Sequence, residues 1–196
     1  MRLVLASGSP RRARLLSEAG VEFDVAASDV DETPLPDEPP AEYVGRVALA
    51  KASVPTLDDD VVVLAADTAV IVDSTILGKP HDAARATAML ELLSGRWHEV
   101  MTVVVVRWRG FGGEHVLERL VTTAVEIETL DPDRIAAYVA TGEPFDKAGA
   151  YAIQERGAEL VAGVRGSRSN VVGLPVDETL ALLDEVPGWR TDGALA

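Results

Sequence analysis

The stretch LVLASGSPRRARLLSEAG, residues 3–20, runs from an apolar strand through a loop of small residues into the first turn of a helix. Leu3, Val4 and Leu5 make a short apolar run bounded by Ser7, Gly8 and Ser9, which reads as a buried strand rather than a helical segment. Ser9 is placed to cap the following helix, Pro10 to fill its first position, where the missing N–H costs nothing, and Gly20 to stop it. A strand passing directly into a helix is the building unit of α/β proteins. The helix start leaves backbone N–H groups unpaired and its dipole disfavours positive charge. Arg11 and Arg12 therefore make most sense there as guanidinium forks around an anion, with phosphate the first candidate.

Working outward, the apolar periodicity switches repeatedly between short β-rich runs and helical stretches. It predicts strands near Leu3–Ala6, Glu22–Ala26, Val61–Ala66, Ala69–Val72, Met101–Trp108, Val116–Ile127 and Leu160–Val164. Helices are expected at Pro10–Ala19, Ala41–Ala52, Asp82–Leu93, Pro132–Ala140 and Pro175–Glu185, with Gly95 and Gly142 as stops. The runs flanking GFGG at 110–113 read as a hairpin, which makes the sheet mixed. The fold class expected is α/β, a mixed, twisted sheet flanked by helices, in one domain over residues 1–190 with a tail at 191–196. Residues 28–40, rich in Asp, Glu and Pro, bury little apolar surface and read as a surface loop.

Composition narrows the function. The 196 residues are 47% apolar, enough for a substantial core, and 32 acidic against 18 basic side chains give a net charge of −14. That charge argues against nucleic-acid or anionic-membrane partners, and a polyanionic substrate must be held where the few cations converge or where a divalent metal offsets the charge. The absence of cysteine excludes a disulfide scaffold, a thiolate zinc site and a cysteine nucleophile. No apolar stretch reaches membrane-spanning length and no basic leader precedes the first strand, so cytoplasmic residence is the expectation.

Four segments mix charge with Gly, Ala or Pro where structure alone does not need it: SGSPRR at 7–12, AADT at 65–68, GKP at 78–80 and DKAGAYAIQ at 146–154. The run VVVLAADT reads as a buried strand ending in Asp67, and ligands of open α/β sheets collect beyond such strand ends. Read singly, each residue also has a plain structural use. Arg11 and Arg12 fit a solvated helix start, Asp67 a turn cap, and Lys79, Asp146, Lys147 and Gln154 ordinary loop positions. The acidic run around Glu32 fits a solvated loop. His81, His98 and His115 lack metal-ligand spacing, so zinc is not implied.

Together with GSRSNVVGLP at 166–175, these segments resemble, in order and approximate spacing, those of the Maf family of nucleoside triphosphate pyrophosphatases. The resemblance implies two lobes with a deep cleft, similar to inosine triphosphate pyrophosphatase, and metal-dependent cleavage of a nucleoside triphosphate to monophosphate and pyrophosphate. It also implies a homodimer. Asp67 is then the catalytic acid/base residue, and Glu32 with Asp67 holds Mg2+ or Mn2+. Lys51, Lys79 and Lys147 contact the phosphates or the metal-bound water network, with Lys51 and Lys79 counted beside Asp67 as catalytic; Ser7 and Arg12 belong to the phosphate seat, and Arg11, Thr68 and Gln154 match positions tied to substrate choice. The YAIQ pattern points to the dTTP and UTP branch. The alternatives are 7-methylguanosine triphosphate or another modified nucleotide as substrate, or a nucleotide-sensing role in septum formation. Two positions depart from the family pattern: Glu155 stands where glycine is expected, and Arg168 where many relatives carry tyrosine. Whether Asp67 serves as base or as metal ligand is left open by the sequence.

Overall fold

Val61 to Val72 form one unbroken strand in the computed structural model, which describes residues 1–189. The sequence expectation of two strands parted at Asp67 is therefore corrected: Asp67 lies inside the strand. A carboxylate is tolerated there because its charge is met by an ammonium from a neighbouring helix, so the ladder need not break around it. Residue 190 and the tail expected at 191–196 lie outside the described residues.

The strands are β1 (Arg2–Leu5), β2 (Asp24–Val25), β3 (Val61–Val72), β4 (Thr75–Leu77), β5 (Trp97–Gly110), β6 (Gly113–Ile127) and β7 (Val161–Arg165). The helices are α1 (Pro10–Glu18), α2 (Pro40–Ser53), α3 (Ala83–Leu93), α4 (Pro132–Val139), α5 (Arg168–Val172) and α6 (Val176–Asp184). The sheet is mixed, in the order β2-β1-β3-β5-β6-β7 with β4 on β3. β1 pairs in parallel with β2 and β3, whereas β3–β4 and β6–β7 are antiparallel. The expected helices are present to within a residue or so at each end, while β4 and α5 carry no signal in the sequence reading. No helix among the described residues is long and apolar enough to cross a membrane.

The chain divides into two compact units. The first comprises Met1–Asp67, Thr102–Val121 and the segment from Gly173, and the second Thr68–Met101 with Thr122–Val172. In the first unit, Leu3 and Leu5 of β1 and Val62, Leu64 and Ala66 of β3 share a buried cluster with Leu16 of α1. Strand alternation then puts Val61, Val63, Ala65 and Asp67 on the opposite face of β3. Ser9 caps α1 by accepting from the Arg12 N–H with Pro10 in the first turn, and Gly20 ends the helix at φ 75°, as the sequence requires. On α2 the buried stripe Val44, Val47, Ala48, Lys51 and Ala52 keeps helical spacing, so Lys51 is a polar residue on an apolar face.

In the second unit, Val70 and Val72 of β3 pack with Leu90 and Leu93 of α3 and with Ile135 of α4. The β3–β4 hairpin turns on Asp73 and Ser74 alone, both left-handed at φ 47° and 63°. His98 of β5 is buried, with its Nε2 2.7 Å from the Tyr151 hydroxyl. Burial, aided by the charge of Arg96, holds its pKa down to about 4. Between pH ~6.5 and about 4 the unfolded chain thus takes up a proton that the folded unit refuses, so stability falls as the pH drops through that window. The full effect is on the order of 3 kcal/mol. Urea unfolding at pH 7 and pH 4.5 should show a smaller acid loss for His98→Gln than for the parent chain. Equal losses would assign the acid sensitivity to other groups.

Candidate active site

The candidate site of the first unit is built around the Lys51 ammonium. Its Nζ donates to Asp67 Oδ1 at 2.8 Å and stands 2.6 Å from Glu32 Oε1, so one buried cation joins a carboxylate fixed on β3 to another on an exposed loop. The lysine and aspartate side chains are 9% and 7% exposed and the glutamate 46%. Burial pushes the Asp67 carboxyl above the ordinary range, against the opposing pull of Lys51 and then Arg12. Such a cluster is weak as a stabilising device, since desolvation offsets most of the attraction, and buried, mutually perturbed charges of this kind make it the candidate site of the unit.

Arg12 turns inward from the first turn of α1. Its Nε donates to the Gly173 carbonyl at 2.8 Å and its Nη1 to Ser7 Oγ at 3.2 Å, while the same Ser7 oxygen accepts from the Ser9 N–H. Burial lowers the Arg12 pKa, and Asp67 and Glu32 oppose that shift. The two arginines that the sequence presents alike are therefore distinct: Arg12 is buried and Arg11 half-buried. Tyr43, missed by the sequence reading, donates its hydroxyl to the Glu32 carbonyl at 3.0 Å. Burial, with Asp67 and Glu32 adding, pushes that phenol up to about 12, so it remains a donor.

Ser7, Arg12, Glu32, Lys51 and Asp67 thus belong to one constellation of the first unit. Thr68, Lys79, Lys147 and Gln154 belong to the second unit. There the Gly149 N–H donates to the Gly78 carbonyl at 3.1 Å, tying the DKAGAY segment to the GKP segment. Lys79 is exposed, whereas Lys147 is nearly buried and donates to the Glu143 carbonyl at 2.9 Å and to Asp146 Oδ1 at 2.6 Å. A cavity of about 660 Å3 is lined by Thr141, Glu143, Lys147, Glu155, Arg156 and Glu159. Glu155 is exposed at φ 57°, a conformation that favours glycine, so the departure from the family pattern carries backbone strain of ~1 kcal/mol. Arg168 opens α5 and is also exposed.

A family model described as Maf-like protein matches residues 2–186. The chain belongs to this Maf-like family. Among its relatives, a protein of Anaeromyxobacter dehalogenans (strain 2CP-C) named dTTP/UTP pyrophosphatase is 54% identical over 183 residues, covering 93% of this chain and 92% of that protein. A protein of the same name from Myxococcus xanthus (strain DK1622) is 50% identical over 183 residues, with coverages of 93% and 91%. Another, from Moorella thermoacetica, is 51% identical over 185 residues, with coverages of 92% and 94%.

Among the described residues of this Maf-like protein no group of three or more His, Asp or Glu side chains is placed to hold a metal by itself. The site does offer two carboxylates converging on one cation, the Lys51 ammonium. Magnesium, which takes one or two carboxylates and fills its remaining positions with phosphate oxygens and water, fits that sparse donor set.

Proposed function

We propose that this Maf-like protein hydrolyses dTTP and UTP to the nucleoside monophosphate and pyrophosphate. The observation that carries the reading is the Lys51 ammonium clasped between Asp67 and Glu32, with the buried Arg12 guanidinium held against Ser7 in the same unit. The names of relatives at 50–54% identity, dTTP/UTP pyrophosphatases, support the choice of bases.

In the proposed reaction the water oxygen bonds to the α-phosphorus as the bond to the α–β bridging oxygen breaks. Pyrophosphate leaves with that electron pair, and the water proton passes to Asp67. Such a displacement depends on positioning and on cations that neutralise the spreading charge. Lys51 and Arg12 supply cations, and Ser7 and Arg11 complete the phosphate seat. Lys79 and Lys147 are assigned phosphate contacts, and Thr68 and Gln154 the choice of base, because they match the family's motifs. Glu32 and Asp67 would hold Mg2+ or Mn2+ jointly with triphosphate oxygens. When bound, such an ion polarises the phosphoryl group and offsets its charge. The reaction is proposed for the cytoplasm, where nucleoside triphosphates are used, with the chain acting as a homodimer on the family pattern.

The test is pyrophosphate release from a panel of natural nucleoside triphosphates and 7-methylguanosine triphosphate, with Mg2+ present. dTTP and UTP should lead in kcat/KM, and Gln154→Ala should change their ranking against the purine nucleotides. Silence with every nucleotide would end the enzyme reading, and a lead by 7-methylguanosine triphosphate would replace the substrate.

A further inference from the structure

We propose that Tyr43 and Arg46, three residues apart on α2, are positioning residues that strap the acidic loop along the helix and so set where the Glu32 carboxylate stands. The inference rests on the reading of Glu32 as a metal-holding residue.

Residues 28–38 have no regular secondary structure, carry Asp29, Asp31, Glu32, Asp37 and Glu38, and leave Leu35 55% exposed. Such a segment has almost no apolar burial to fix it and its carboxylates repel one another. What holds it is a set of hydrogen bonds exchanged with α2. Ser28 Oγ donates to the Lys51 carbonyl at 2.9 Å, anchoring the start of the loop at the end of the helix that also carries the site's ammonium. Tyr43 Oη donates to the Glu32 carbonyl at 3.0 Å, and Arg46 Nη2 donates to the next carbonyl, Thr33, at 3.1 Å. The backbone on the C-terminal side of the Glu32 side chain is therefore gripped at two consecutive peptides.

The Arg46 guanidinium also forks onto Glu38, with Nε–Oε1 2.6 Å and Nη2–Oε2 2.7 Å, and Glu38 Oε2 accepts the Leu35 N–H at 2.9 Å. Its carbon lies 5.7 Å from the centre of the Tyr43 ring, so the two straps support each other. A planar bidentate fork does this in a way that a lysine would not. The Glu32 carboxylate, nearly half exposed, has Lys51 as its fixed point, and the direction from which it arrives is set by Tyr43 and Arg46. Groups that orient a ligand carboxylate typically account for 10–100-fold in metal affinity without touching the metal.

The experiment uses the full chain and the single substitutions Tyr43→Phe and Arg46→Met, with Glu32→Gln and Tyr43→Phe/Glu32→Gln for comparison. Amide hydrogen exchange over residues 28–38 should speed up at least about tenfold in both strap variants while β3 amides keep parental protection. Mn2+ binding in the presence of α,β-methylene-dUTP, followed by electron paramagnetic resonance, should weaken about tenfold in Tyr43→Phe. In the Glu32→Gln background, Tyr43→Phe should add no further loss, because the two changes act through one group.

Parental exchange in the loop, or a Tyr43→Phe loss that simply adds to that of Glu32→Gln, would overturn the strap. A general loosening that includes β3 would also overturn it, by making Tyr43 an ordinary packing residue. If the parent chain hydrolyses no nucleotide the pyrophosphatase reading falls by itself, and the exchange and Mn2+ measurements still decide the role of Tyr43 and Arg46.

Discussion

Asp67→Asn should lower kcat on dTTP by ~10²–10⁴-fold while leaving a folded protein. Asparagine keeps the shape of the side chain and an oxygen able to accept from Lys51 Nζ, now 2.8 Å from Asp67 Oδ1, and it removes only the negative charge. Because Asp67 is nearly buried inside β3, no other carboxylate can slide into its place: Glu32 arrives from a loop and is already engaged with the same ammonium. The loss is therefore the loss of a proton acceptor and of half the carboxylate pair at once. Stability should respond less than activity, since Glu32 still stands 2.6 Å from the Lys51 ammonium and keeps that buried charge paired, and the amide escapes the burial penalty on the ionised Asp67 carboxylate. Steady-state rates at 25 °C, with circular dichroism to verify folding, separate the two effects. A folded Asp67→Asn variant within threefold of parental kcat would remove Asp67 from the chemistry. Gln154→Ala provides the contrast, because a base-reading residue should alter the ranking of nucleotides rather than silence all of them.

The parts of this molecule legible in its sequence are those governed by local rules. Leu3 to Leu5 and Val61 to Ala66 are apolar on both strand faces because both faces are buried, and Ser9 with Pro10 marks the α1 start by chemistry confined to one turn. What stayed hidden depends on distant partners. The break inferred at Asp67 followed from a charge in an apolar run, and the group that makes that charge acceptable lies 16 residues away on α2. Lys51 itself sits on a stripe whose other members are Val and Ala, so its depth is visible but its partner is not. The β3–β4 turn escapes notice because Asp73 and Ser74 adopt left-handed conformations without a glycine to advertise them. Tyr43 and Arg46 read as an unremarkable helix face, since their partners, two backbone carbonyls and the Glu38 carboxylate, lie in a loop with no periodicity. The motif segments were conspicuous for the opposite reason: they keep small residues and charges where packing alone asks for neither.

Gly157→Ala should destabilise the protein by about 2–4 kcal/mol, lowering its melting temperature by about 5–15 °C. Gly157 lies in the 3-10 turn Glu143 helps to hold, where its N–H donates to Glu143 Oε1 at 3.1 Å. A Cβ at this position would collide with the Ala152 carbonyl oxygen and come within 2.8 Å of the Ala152 nitrogen and 2.7 Å of the Tyr138 hydroxyl. Backbone atoms cannot swing aside as the end of a long side chain would, so the turn must move. Tyr138 donates to the same Glu143 Oε1 at 3.0 Å, and the Glu143 carbonyl receives Lys147, so displacement at residue 157 loosens the seat of a lysine assigned to the triphosphate. The substitution should thus raise KM as well as lower stability. Gly45→Ala is the matched comparison: it lies within α2, nothing stands within 4 Å of the added carbon, and the exchange should stabilise by about 0.5–1 kcal/mol. Chemical unfolding of both variants decides the matter, because opposite signs follow only if the contacts around residue 157 are as close as the structure has them, and a neutral Gly157→Ala would mean that the 155–160 turn is free to shift.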